Sequence, residues 1–418
     1  MAGSGAWIPV AGYLDRRHVA LQQSSPHIVL MPSALRPGAV PGESKTMPAI
    51  RPRIRLRASR KGHSAFAAPS ATRDRLSDLA WSGANPGNLN ARYYVPEGLE
   101  GPAPLVVVLH GCTQDAAVYD HGSGWSTLAD RHGFLLLFPE QKRSNNPMLC
   151  FNWFSAEDTS RDMGEAASIR SMIEAMKSAH GVDPDRIFVT GLSAGGAMAS
   201  VMLATYPEIF AAGAIIAGVA YGCAGDVSQA FDCMGGRGRS DAGALGASVR
   251  RASAHKGPWP RVQVWQGSAD RTVVASNADS IVLQWTQLHG VGPKPDRSDR
   301  VEGYPRRAWL DSKGEPLVEQ YTITGMAHGI PLDGSGEDAL GEAGAHMLDV
   351  GLSSTARIAE FFGISPEAGE RPKAERPAPA AARTSMAPAR ALPQMSLPKA
   401  SGPQKVIEDA LRKAGLMR

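Results

Sequence analysis

Leu105-Val106-Val107-Val108-Leu109 is an unbroken apolar run with three β-branched residues. A strand with one wet face alternates apolar and polar residues. Only a strand covered on both faces reads as a continuous run. Phe134–Phe138 (FLLLF) is a second such run, and 186–190 (RIFVT), 211–217 (AAGAIIA) and 262–266 (VQVWQ) read as further strands. Helical patterns lie between them. From Glu165 to His180, Ile169, Met172, Ile173 and Met176 repeat at i, i+3, i+4 and i+7, with Gly181 as the stop. A small-residue helix is expected from Ala194 to about Ala204, and others over 277–288 and 354–362. Strands alternating with helices imply parallel β-α-β units with right-handed crossovers. The fold class is therefore α/β, a doubly wound, mostly parallel sheet with flanking helices. An early strand is expected at 91–96, and the runs 307–311 and 317–324 flank a Ser-Lys-Gly-Glu-Pro hairpin signal.

The net charge of +4 is unevenly spread over the 418 residues. Residues 1–75 carry net +9 and residues 366–418 net +5, which leaves −10 in the middle. A basic chain suggests nucleic acid or an anionic surface. Here the body is acidic, so no nucleic-acid partner is expected. The basic ends read as solvated tails, or as tethers to an anionic surface, a granule or a partner. Residues 1–75 show no sustained period and read as disordered or weakly structured. Residues 76–365 form the globular domain, 366–404 a Pro/Ala-rich linker and 405–418 a short amphipathic helix, marginal by itself. No apolar run approaches the roughly 20 residues of a spanning helix. The N-terminus lacks a basic stretch followed by a long apolar one, so a cytoplasmic location is expected over secretion. The four cysteines permit two disulfides but are too few for a disulfide scaffold, and no CxxC spacing suggests zinc.

The strongest chemical signal is Gly191-Leu192-Ser193-Ala194-Gly195, which follows the strand RIFVT and opens a small-residue helix. This is the context of the nucleophile elbow of an α/β-hydrolase, which presents Ser193 at the carboxyl end of the sheet. Glycines two before and two after the serine let strand and helix approach. Leu109-His110-Gly111-Cys112 ends the LVVVL strand. An HG motif there supplies the second oxyanion donor, so the backbone amides of Cys112 and Ala194 are the expected pair, with His110 orienting the loop. Asp270 follows VQVWQ directly, in the chain order serine, acid, histidine. Its rivals are weaker: Asp241 follows no strand and Asp279 falls within an expected helix. His328 lies in Gly325-Met326-Ala327-His328-Gly329 after the last core strand, where small neighbours let an imidazole reach the serine. His289 and His346 are the alternatives.

Five ordered motifs carry a family resemblance: LHGCTQ (109–114), CFNWF (150–154), GLSAGGAMAS (191–200), GSAD (267–270) and GMAHG (325–329). Together the chain resembles the polyhydroxybutyrate depolymerase family of esterases, which includes feruloyl and acetylxylan esterases. The resemblance covers roughly residues 80–363. It implies a triad of Ser193, Asp270 and His328, an oxyanion loop at His110-Gly111-Cys112, and ester hydrolysis without metal or organic cofactor. The expected substrate is a short hydroxyalkanoate oligoester. A feruloyl- or acetyl-type ester is the alternative, and a non-catalytic granule- or partner-binding role is a further one. Cys112 with Cys150, and Cys223 with Cys233, are candidate disulfides, the first bracing the oxyanion loop. Four free thiols are the other reading. Asn152, Trp153 and Phe154 are candidates for the substrate pocket, against simple core packing. The Gly-rich stretch 223–256 reads as a mobile cover over the site.

Overall fold

The computed structural model describes residues 74–237, 241–335 and 339–366. Apart from Asp74, Arg75 and Pro366, the readings made of the basic N-terminal segment, the Pro/Ala-rich linker and the terminal amphipathic helix lie outside the described residues.

Ten strands build one sheet: β1 (Ser77–Asp78), β2 (Asn90–Tyr94), β3 (Ala103–Leu109), β4 (Leu135–Glu140), β5 (Val182–Leu192), β6 (Ala212–Ile216), β7 (Arg261–Gly267), β8 (Arg297–Val301), β9 (Tyr304–Leu310) and β10 (Pro316–Ile323). Their spatial order is β1-β2-β4-β3-β5-β6-β7-β10-β9-β8. The six central strands, β4 to β10 in that order, are parallel. Antiparallel pairs flank them, β2 and β1 on one edge and β9 and β8 on the other. A separate parallel pair joins β11 (Ile330–Leu332) to β12 (Met347–Asp349).

The helices, among the described residues, are α1 (Ala116–Ser123), α2 (Trp125–His132), α3 (Ala156–Thr159), α4 (Gly164–Ala179), α5 (Ala194–Thr205), α6 (Val227–Met234), α7 (Ala242–Ala252), α8 (Ser276–His289) and α9 (Ser354–Phe362). They cover both faces of the sheet, and β3 shows why its run is unbroken. Leu105, Val107 and Leu109 enter one core with Ile169, Met172, Ile173 and Met176 of α4. Val106 and Val108 enter the opposite core with Tyr119 of α1, Trp125 of α2 and Ile358 of α9. Each β3 residue is buried.

The expected hairpin is present as β9 and β10, and the Asp311 carboxylate caps its turn by accepting the amides of Lys313 and Glu315. Strand β8 (RSDRV) escaped the sequence reading because it is a charged edge with no apolar face to betray it. The 223–256 stretch, read as a loop-like cover, contains α6 and α7. Asp226 and Asp241 cap these helices by accepting the amides of Gln229 and Ala244.

Candidate active site

Ser193 sits between β5 and α5 with φ 57° and ψ −116°, a left-handed conformation that costs a non-glycine residue about 1–3 kcal/mol. Its surroundings over-determine it. Its amide donates to Ile216 O on β6, and its carbonyl accepts the Ala197 amide in the first turn of α5. The flanking glycines leave no alternative. A Cβ on Gly195 would lie 2.2 Å from Leu109 O and 2.5 Å from His110 O, and one on Gly191 would lie 2.4 Å from Gly195 O. The N-terminus of α5 thus abuts the end of β3. Ala194, its first residue, has an amide with no intrahelical acceptor.

The loop after β3 is held from several sides. His110 is fully buried, and its Nε2 accepts the Gln141 amide at 3.1 Å. That leaves Nδ1 as the protonated nitrogen, which donates to Gly111 O at 2.8 Å. Burial holds the imidazole below its usual pKa, so it stays neutral. His110 therefore ties the loop to the end of β4 and has neither nitrogen free for a base. The Gly111 amide donates to Gln114 Oε1, and the Thr113 amide to Met148 O. Cys112 and Cys150 form a disulfide that pins this loop to the 146–150 segment. Cys223 and Cys233 form a second one.

Asp270 follows β7, its carboxylate wholly buried. Oδ1 accepts the amides of Thr272 (2.8 Å) and Val273 (3.0 Å). Oδ2 accepts Gln266 Nε2 (3.1 Å) and His328 Nδ1 (2.7 Å). With Nδ1 donating, Nε2 of His328 is the free basic nitrogen. The two loops are sewn together: the Ala269 amide donates to Met326 O, and the Gly325 amide to Ser268 Oγ. A cavity of about 250 Å³ is lined by Gly111, Cys112, Met148, Ser193, His328 and His346.

The rival residues have other partners. Asp241 caps α7, Asp279 pairs with Arg307 at 2.8 Å, and His289 Nε2 contacts Pro260 O. His346, considered only as an alternative base, lines the cavity instead. Its Nδ1 donates to His328 O at 3.1 Å, and its carbonyl accepts the Ile330 amide. The pairing of β11 with β12, Ile330 opposite Met347, delivers it, so no local motif announced it. Asn152 lies outside this lining. Its amide and Nδ2 donate to Glu165, and its Oδ1 accepts Asn146 Nδ2, so it is a strut within the loop. Trp153 and Phe154 lie behind the Cys112–Cys150 bridge, lining a second, smaller cavity.

A strained serine at a strand-to-helix turn, sharing a cavity with a histidine oriented by a buried carboxylate, defines a serine carboxylic-ester hydrolase of the α/β-hydrolase class. Residues 89–298 match the family model described as esterase PHB depolymerase. The chain is 47% identical to poly(3-hydroxyalkanoate) depolymerase C of Paucimonas lemoignei, over 69% of this chain and 70% of that protein. It is 32% identical to an acetylxylan esterase of Coprinopsis cinerea, over 64% of this chain and 72% of that one. The solved acetyl xylan esterase from Aspergillus awamori superposes with a TM-score of 0.60 at 26% identity, covering 69% of this chain and 99% of its own. The chain belongs to the esterase PHB depolymerase family. Among the described residues no helix is long and apolar enough to cross a membrane, and no cluster of His, Cys, Asp and Glu suits a metal ion.

Proposed function

We propose that the chain hydrolyses short aliphatic hydroxyalkanoate esters through an acyl-enzyme on Ser193. His328 Nε2 takes the Ser193 hydroxyl proton as Oγ attacks the ester carbonyl. The Cys112 and Ala194 amides stabilise the tetrahedral oxyanion, a pair of donors of which each contributes roughly 2.7–4 kcal/mol in known cases. His328 then returns the proton to the departing alcohol. Water, deprotonated by the same imidazole, releases the hydroxyacid. Asp270 holds the imidazole in the tautomer with Nδ1 protonated. The observation that carries this reading is the 2.7 Å bond from His328 to a carboxylate with every other acceptor position filled, beside a serine in a strained turn.

The substrate class is supported by 47% identity to a protein named as a poly(3-hydroxyalkanoate) depolymerase. Relatives named as acetylxylan and feruloyl esterases support an acetyl or aromatic ester as the second reading. Wild type and Ser193→Ala are to be compared on p-nitrophenyl butyrate, hydroxybutyrate oligomers and methyl ferulate. Oligomer turnover that falls by on the order of 10⁶-fold in the variant is expected. Turnover of ferulate alone would move the assignment to the second reading.

The basic termini, net +9 and +5 in sequence, support a tether to an anionic surface. Removing residues 366–418 should leave butyrate turnover intact and weaken retention on anionic vesicles. Equal retention would reject the C-terminal tether.

A further inference from the structure

Behind the Cys112–Cys150 bridge lies a second cavity of about 60 Å³. Trp153 and Phe154 form one wall, ring centroids 5.6 Å apart and edge to face. Val227, Phe231 and Met234 of α6 form the other. Cys112 and Met148 line both this cavity and the one that holds Ser193, so the two adjoin across a shared wall. Both walls are fixed. The Trp153 loop is held through the bonds of Asn152 to Glu165. Helix α6 is held by the Cys223–Cys233 bridge and by Met234 O, which accepts the Val274 amide and Asn277 Nδ2. The lining aromatics are only half-buried, so the slot opens to solvent.

We infer that this slot is a substrate subsite for a short alkyl group on the ester undergoing cleavage. The inference rests on the function proposed above. Its chemistry excludes most else. The one amide side chain on the lining, Asn146, is committed: Oδ1 accepts the Met148 amide and Nδ2 donates to Asn152. A sugar hydroxyl or a charged group placed there would lose its water and gain no partner. Size sets the upper limit. A water-sized group needs about 10–15 Å³ of such volume, so the slot takes about four to six heavy atoms. That matches a short aliphatic chain and is too small for a phenylpropenoyl group. An acetyl group brings a single methyl, too little to fill a slot of this size, so its filling would separate longer aliphatic esters from acetates.

Val227 is at the half-exposed start of α6, where a larger side chain fills the slot from its rim. The test measures kcat/KM of the full chain and of Val227→Trp for p-nitrophenyl hexanoate and p-nitrophenyl acetate. The hexanoate-to-acetate ratio should fall about tenfold, the usual discrimination of an apolar pocket per methylene or two. Val227→Leu, a milder filling that keeps the helix, should lower it by a smaller factor. A ratio that stays at the wild-type value in folded protein, or rates for both esters that fall together, overturns the subsite. Wild type that cleaves neither ester would instead reject the parent function.

Discussion

At the scale of single residues, backbone geometry carries the chemistry. Ser193 is held at φ 57° because strand, helix and the β3 carbonyls leave no room for another turn. Gly195→Ala should therefore act on catalysis without touching a catalytic atom. Its methyl would collide with Leu109 O and His110 O, both backbone, so α5 must move off β3. A loss of at least about 10²-fold in kcat/KM is expected, as for an ångström-scale misplacement of a nucleophile. Activity within a few-fold of wild type, with circular dichroism unchanged, would contradict the packing argument. The motif around Ser193 was readable because its glycines and serine are adjacent in sequence. His346 was not: it reaches the cavity through φ 62° and the β11–β12 pairing, neither of which leaves a local pattern.

At the scale of elements, the oxyanion loop is supported by a buried relay. Glu165, in the first turn of α4, accepts Gln141 Nε2 at 2.5 Å and both the amide and Nδ2 of Asn152. The Gln141 amide in turn donates to His110, and His110 to Gly111 O. Burial, with the charge of nearby Asp158, pushes the Glu165 carboxyl up to about 8, although its hydrogen bonds pull the other way. Unfolding would return it to the ordinary value near 4.5. Between those limits the native state holds one proton more than the unfolded chain, so stability must fall as pH rises from about 5 to about 8. Denaturant midpoints measured across that range should decline in wild type and decline less in Glu165→Gln. Parallel slopes would mean that Glu165 ionises normally. None of this was legible beforehand, because a lone glutamate opening a helix reads as a solvated dipole partner.

At the scale of the whole molecule, the Cys112–Cys150 bridge ties the oxyanion loop to the segment before Phe151, and the Cys223–Cys233 bridge ties α6 to the loop that precedes it. Disulfides persist in oxidising compartments. We infer from the two bridges an oxidising compartment for the chain, in place of the cytoplasm expected from its N-terminus. Denatured, unreduced protein isolated from its native source should show no titratable thiol. Four thiols would restore the cytoplasmic reading. The core was readable where burial is two-sided, as in β3, β4 and β6, since unbroken apolar runs have no other physical explanation in a parallel sheet. The short helices α1 and α2 and the edge strand β8 were missed, because short or charged elements depend on what packs against them.

The amino-acid sequence alone determined the parallel α/β architecture and the ordered positions of serine, acid and histidine. Each of these is written in adjacent residues whose periodicity or turn chemistry acts locally. Tertiary structure alone decided what surrounds them. It separated Asn152 the strut from Trp153 and Phe154 the slot wall, brought His346 to the cavity, and set α6 against the 146–154 loop. Those contacts join segments far apart in sequence, His346 with Gly111 and Cys112 the farthest, and their energy exists only once the sheet has brought the segments together.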